Sequence, residues 1–389
     1  MNQIRKELVL LILLVLISGC SSVKNTSIQS SKDTIEVNKD TLSKFERYSQ
    51  KGEALFKILP VPVLAYSTES GTIFGLAKYN LLNLVKSDTI SHDSKFDALV
   101  SYATKGQYKG VISGDMFFNE NKLNVTAGVR YIKFPSFIFG VGNTISEDNI
   151  ESVITESFEF DIGVLRSINQ KKTLYAGALV QFKNYTAIDT EPDSFITRTN
   201  YPGVDGGVSS GLGLGIIYDT RDFRFNAKNG FYLKTNFFLF NKAFGSDYKY
   251  NSFELDIRKY FNPWLEHVIA LQVYTQANSG NVPFYSLALL GGDQRMRGYY
   301  KGALRDKVIG DAQIEYRLPI WSIFGATAFA SAGRVSADYK SFDFNNLRYG
   351  AGIGLRVLLD KKNRGNLRFD FGYGAGDAQT FSIGFTEAF

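Results

Sequence analysis

Cysteine is almost absent from this chain. Cys20 is the only one in 389 residues, so no disulfide forms within a molecule. Histidine is nearly as scarce, with His92 and His267 alone, and neither belongs to a spacing that would hold a metal. No serine lies in a nucleophile elbow, and no set of residues reads as a hydrolytic triad. The sequence carries no sign of an enzyme, a metal, a cofactor or a small-molecule substrate. Helix-favouring runs of Ala, Leu, Glu and Lys are missing, and Pro is low at 8. A mean hydropathy of -0.11 excludes a bundle of membrane helices. The formal net charge of +6 is small for this length and scattered along it, so nucleic acid is not an expected partner. What the chain has in quantity is 32 Phe, 22 Tyr and 36 Gly, the composition of a β-protein.

The N-terminus, MNQIRKELVLLILLVLISGCSS, places Arg5 and Lys6 before an apolar core from Leu8 to Ile17. That core is too short to span a bilayer as a helix and reads as a secretory signal over residues 1–19. Its end, LISGC, looks like a bacterial lipobox, in which cleavage precedes Cys20 and the thiol is acylated. An incidental cysteine at the end of the apolar core is the alternative. Acyl chains contribute about 0.8 kcal/mol per buried methylene, so a multiply acylated Cys20 would hold the N-terminus in membrane lipid on the periplasmic side. Residues 20–51, rich in Ser, Thr, Lys and Asp without apolar periodicity, read as a flexible tether. Function is left to residues 52–389.

Past residue 60 one pattern recurs, an alternation of apolar and polar residues closed by a turn. In KVIGDAQIEYRLPI, Ala312, Ile314, Tyr316 and Leu318 fall on one face, and Asp311, Gln313, Glu315 and Arg317 on the other. In GNLRFDFGYG, Leu367, Phe369, Phe371 and Tyr373 oppose Arg368, Asp370 and Gly372. A soluble sandwich also alternates, but full charges at strand centres, such as Glu254, Asp256 and Arg258, suit strands that surround a polar lumen. The ending TFSIGFTEAF, with Phe381, Ile383, Phe385 and Phe389 at period two, is similar to the ends of outer-membrane barrels. The expectation is an all-β, sixteen-stranded antiparallel transmembrane barrel with both ends in the periplasm. Its fifth strand is placed at 122–132, its twelfth at 308–319, ended by Pro319, and its last at 379–389. Long external connections are placed at 133–151, 188–206, 278–307 and 334–345. Pro135, Pro192, Pro202, Pro263 and Pro283 are read as lying between strands. Pro60 and Pro62 fall at the start of the first strand, where each removes a ladder donor and weakens the seam with the last. The runs GLGLG and GAGIG lie inside strands and read as close packing, not phosphate loops.

The sixth external connection holds GGDQRMRGYYKGALRD, residues 291–306, with arginines and lysines among glycines. Here the sequence resembles the BamA/TamA superfamily, the bacterial surface antigen barrels that insert or translocate proteins across outer membranes. The resemblance rests on MRGY at Met296 to Tyr299, the approach PFYSLALLGG, the turn YDTRDFRFNAKNGFY at 218–232 and PVPVLAYSTESGTIFG at the barrel start. It implies that the loop folds into the lumen and docks its arginine on acids of the next two strands. Arg297, Gly298 and Tyr299 are the loop residues so implied, with Glu315 as the lumen partner. A guanidinium offers a planar fork to a carboxylate, and Gly298 allows a turn where a Cβ would not fit. The family's FxDxG pattern is represented by Phe329, Ser331 and Gly333, with Ser331 where the aspartate belongs, so one acidic partner is expected to be lost. The periplasmic POTRA domains of the family have no room in the chain. An exposed basic loop that binds acidic surface sugars, or nothing, is the bland alternative. At the level of function the resemblance implies help in inserting or translocating client outer-membrane proteins, with outer-membrane lipids as the other partner. A passive pore or structural surface barrel is the competing reading.

Overall fold

The computed structural model describes residues 59–389 except 68–69, 86, 89, 145–149, 190–197, 200, 362–363 and 377. The expected signal and tether, with Cys20, lie outside the described residues. The strands are β1 (Val61–Ser67), β2 (Gly71–Leu82), β3 (Ser94–Ala103), β4 (Tyr108–Phe118), β5 (Leu123–Ile138) and β6 (Glu151–Ser167). They continue with β7 (Leu174–Asp189), β8 (Gly206–Asp219), β9 (Gly230–Phe240), β10 (Tyr250–Phe261), β11 (Val268–Gly280), β12 (Ala288–Leu290) and β13 (Leu304–Asp306). The series ends with β14 (Val308–Trp321), β15 (Phe324–Ser336), β16 (Arg348–Asp360), β17 (Gly365–Gly374) and β18 (Gln379–Phe385).

Sixteen of these strands form one sheet in chain order, each antiparallel to the next, while β12 and β13 pair only with each other. A meander of this kind is a barrel wall, and the β12–β13 hairpin sits inside the sixth external loop. The stacked rings of Tyr79 on β2 and Phe385 on β18, 5.9 Å apart, bring the two ends of the sheet together. The shortest strands of the sheet, β1 and β18, are those at its ends.

Burial along each strand is the inverse of a soluble protein's. On β16 the apolar Ile353 is 67% exposed, whereas Glu315 on β14 is fully buried. Leu214, Val273, Ile314, Phe381 and Ile383 are likewise exposed, as side chains that face hydrocarbon must be. Charges fill the lumen side in pairs: Arg130 with Asp161 at 2.7 Å, Lys183 with Glu159 at 3.0 Å and Arg258 with Asp256 at 2.5 Å.

Boundaries shift by a few residues along the sheet, and three of the differences change the reading. β5 runs on through Pro135 to Ile138, which shortens the third external loop. Pro135 pairs with Ile154 of β6 above the last β4–β5 pair, Tyr108–Lys133, so on the β4 side no ladder bond is lost. Pro319 does not end β14, which continues to Trp321 with a register shift that absorbs the missing donor. The last strand stops at Phe385. Thr386 adopts φ 64°, and the chain then turns into the barrel, where Phe389 is buried against Tyr260, Ala227 and Ala270. Phe389 therefore does not continue the lipid-facing row of Phe381 and Ile383.

Candidate functional site

The sixth loop, residues 281–307, fills much of the lumen because it carries an apolar core of its own. Leu290, Met296, Tyr299 and Leu304 are buried together with Ile309 and Val335 of the wall. Gly291 and Gly292, at φ 98° and 127°, turn the chain after β12. Met296 is left-handed at φ 48°, and Gly298 follows at φ 117°. A Cβ at Gly298 would fall into the main chain of Tyr373, so only glycine allows this approach to β17.

Arg297 is held at the centre of this contact, 1% exposed. Its Nη1 donates to Asp370 Oδ2 of β17 at 2.9 Å. Its Nη2 stands 2.6 Å from Glu315 Oε2 of β14 as an ion pair, without the alignment of a hydrogen bond. The Phe329 ring lies 3.6 Å from the guanidinium carbon and covers one face. Both carboxylates are shared with wall arginines. Arg317 donates to Glu315 at 2.7 Å, and Arg356 donates to Asp370 at 2.6 Å. Cations and acids thus alternate, which is the arrangement that allows charges to remain ionised in a buried site.

Neighbouring loop residues dock beside Arg297. Arg295 pairs with Asp311 and covers the Tyr274 ring at 3.4 Å. Arg368 donates to the Asp293 main-chain oxygen at 2.6 Å and pairs with its carboxylate at 3.2 Å. Gln313 donates to the Gln294 oxygen at 2.9 Å. Tyr299 donates its hydroxyl to Tyr349 O at 2.8 Å and accepts from Ala375 N at 2.7 Å. Glycines on β16 and β17 make the seat. A Cβ at Gly372 would lie 2.7 Å from Gly298 N, and one at Gly350 would lie 2.9 Å from Arg297 O. The GAGIG run is therefore close packing, against the loop at Gly350 and against wall residues at Gly352 and Gly354.

The structure brings Arg297, Glu315 and Phe329 into one site. Gly298 and Tyr299 dock next to it on β17, β18 and the turn after β17. Ser331 donates its hydroxyl to Gly350 O at 3.3 Å. Gly333 lies beside Asp311, where a Cβ would meet the Asp311 side chain. The expectation that one acidic partner is lost is corrected: a second acid is present, on β17 as Asp370. The resemblance points only to the two strands after the loop, whereas the alternation in GNLRFDFGYG places Asp370 on the polar face of β17. Arg295 and Asp311 were also missed, and the sequence offers no spacing that pairs them. Cys20 lies outside the described residues.

Beside the docked loop remains a polar cavity of about 350 Å³, lined among others by Arg130, Glu159, Lys183, Tyr274, Arg295 and Lys301. It is the space left between the loop and the wall of β5 to β11. A buried arginine held by two carboxylates has no reactive group to offer a substrate. What it can do is fix a loop in one position and release it when the pairs are exchanged.

Known proteins share this architecture. BamA from Haemophilus ducreyi lacking POTRA domains 1–3 is similar in structure, with a TM-score of 0.53 and 14% identity, over 88% of this chain and 76% of that one. CdiB from Escherichia coli is similar with a TM-score of 0.55 and 8% identity, over 85% of this chain and 62% of that one. CdiB from Acinetobacter baumannii gives a TM-score of 0.51 and 13% identity, over 85% of this chain and 59% of that one. The chain thus spans about three-fifths of either CdiB chain. At these identities the likeness is one of fold. No curated protein matches. The model of the Omp85 superfamily domain matches residues 93–389, most of the chain, and the protein belongs to that superfamily as an outer-membrane β-barrel.

Proposed function

We propose that this barrel assists the insertion of other outer-membrane proteins, or their passage across the membrane, and that an acylated Cys20 tethers its N-terminus to lipid on the periplasmic side. The observation that carries the reading is the docking of Arg297 between Glu315 and Asp370. A barrel that serves only as a wall needs no loop bound through a buried, multiply shared arginine. Such a site is costly to desolvate and gains its value from holding one loop position. The family resemblance supplies the activity, and the packed lumen argues against steady passive flow.

The test is reconstitution. Liposomes that contain the full chain, mixed with an unfolded outer-membrane barrel protein, should fold that client faster than empty liposomes, read by its heat-dependent gel shift. Equal rates, with no outer-membrane or periplasmic protein co-purifying from cells, would leave the structural-barrel reading in its place. For the anchor, Cys20→Ala should abolish incorporation of labelled fatty acid while the barrel still inserts. A wild-type protein that takes up no label would refute the anchor.

A further inference from the structure

The segment 220–229 joins β8 to β9, adjacent antiparallel strands about 4.8 Å apart, and a two-residue turn would suffice for that. Instead it reaches across the inner mouth of the barrel, opposite the sixth loop. Arg224 donates to Asp115 of β4 at 3.1 Å and covers the Phe117 ring at 4.0 Å. Phe225 lies under Lys95 of β3, 5.9 Å from its ammonium. On the other side Asp222 accepts from Arg364 at 2.8 Å, and Asn226 donates to Arg364 O at 3.1 Å. Arg364 belongs to the turn between β16 and β17. In the sheet order β4 lies four places before β8, and β16 lies five places after β9 among the barrel strands. Contacts with both require the segment to cross the opening.

Two features hold it there. Arg221 is fixed at its base, with Nε and Nη2 on the Asp219 carboxylate at 2.9 and 2.7 Å and its guanidinium over Tyr232 at 4.2 Å. Ala227, 2% exposed, packs with Tyr260, Ala270, Ala388 and Phe389. Its carbonyl accepts from Arg317 at 3.3 Å. Arg317 also binds Glu315, the acid that holds Arg297, and the Phe389 oxygen at 2.8 Å. The inner segment and the end of the chain therefore meet on Arg317, which Glu315 links in turn to Arg297 of the outer loop.

We propose that residues 220–229 are an inner stopper of the lumen, which closes it in series with the docked sixth loop. The inference concerns ion flow and stands whether or not the barrel inserts clients. Two closures in series make a specific demand: opening one leaves the path blocked by the other. Refolded full-length protein in planar bilayers provides the measurement, with Arg224→Ala to free the stopper and Arg297→Ala to free the loop. Each single variant should conduct within about threefold of the wild type, and the double variant should exceed either by about tenfold or more, a strongly non-additive result. If Arg297→Ala alone conducts as the double variant does, there is no inner stopper. If Arg224→Ala alone does so, the two closures are not in series. Where Arg224→Ala shows no heat-dependent gel shift, and so has not folded, Phe225→Ser replaces it. Asp370→Asn replaces Arg297→Ala on the same criterion.

Discussion

Arg297 of the sixth loop and Asp370 of β17 meet in a buried hydrogen bond of 2.9 Å across 73 residues of sequence. Glu315 takes the other arm of the same guanidinium at 2.6 Å. The two acids stand on strands that are not neighbours, since β15 and β16 lie between β14 and β17. One arginine therefore braces four strands of the wall from within.

Removing one partner from such a buried pair costs about 3–5 kcal/mol, against about 0–1 for a pair bathed in water. Arg297→Ala, Asp370→Ala and Glu315→Ala should each lower the temperature midpoint of the gel shift. Each acid combined with Arg297→Ala should add little to the arginine change alone. Asp370→Ala should cost at least as much as Glu315→Ala, because its bond to Arg297 is the aligned one. A midpoint unchanged in Asp370→Ala would show that Glu315 alone holds the loop.

Ser331 stands where the family resemblance led to the expectation of an aspartate, and its hydroxyl donates to Gly350 O, beside the loop. Moving the acid back should therefore be tolerated. Asp370→Ser is expected to lower the midpoint, and the added Ser331→Asp to recover a substantial part of the loss. If Ser331→Asp instead deepens the loss, β15 no longer has access to the arginine.

Gly298 carries both a left-handed backbone and a contact with Tyr373 that leaves no room for a Cβ. Gly298→Ala should cost about 1–3 kcal/mol in backbone strain, with the steric clash in addition. The loop should then undock while the wall stays intact. Limited proteolysis would show this as new cleavage within residues 291–306 of a protein that still shifts on heating. Wild-type resistance in Gly298→Ala would mean that the docked position tolerates a side chain.

The inner segment should respond to acid through Asp222. Partial burial pushes its carboxyl up, but Arg364 and the main-chain N–H groups of Asn229 and Lys228 outweigh this, and its pKa lies below the usual 3.8. A depressed carboxylate stabilises the fold fully above the unfolded-state value, and that contribution fades as pH falls through the folded-state value. The midpoint advantage of wild type over Asp222→Asn should therefore be constant above about pH 4 and shrink below it. A difference that does not change down to strong acid would remove Asp222 from the account.

The sequence by itself determined the class of fold and most of the strand pattern. A strand wall between lipid and a polar lumen imposes a period of two that is written locally, in Ile314 against Glu315 or Phe371 against Asp370. The loop arginine and Glu315 were legible for the same reason, one from a short motif and the other from its side of a strand. The strand ends were less so: Pro135 stays in β5 because β4 stops short of it, and Phe389 leaves the outer face because Thr386 turns the chain inward. Only the tertiary structure decided which acid completes the grip on Arg297. A curved sheet brings β17 opposite the loop, and nothing near Arg297 in sequence encodes that approach. The course of residues 220–229 across the mouth was decided in the same way, because its partners on β3, β4, β14 and the turn before β17 converge only when the sheet is curved into a barrel.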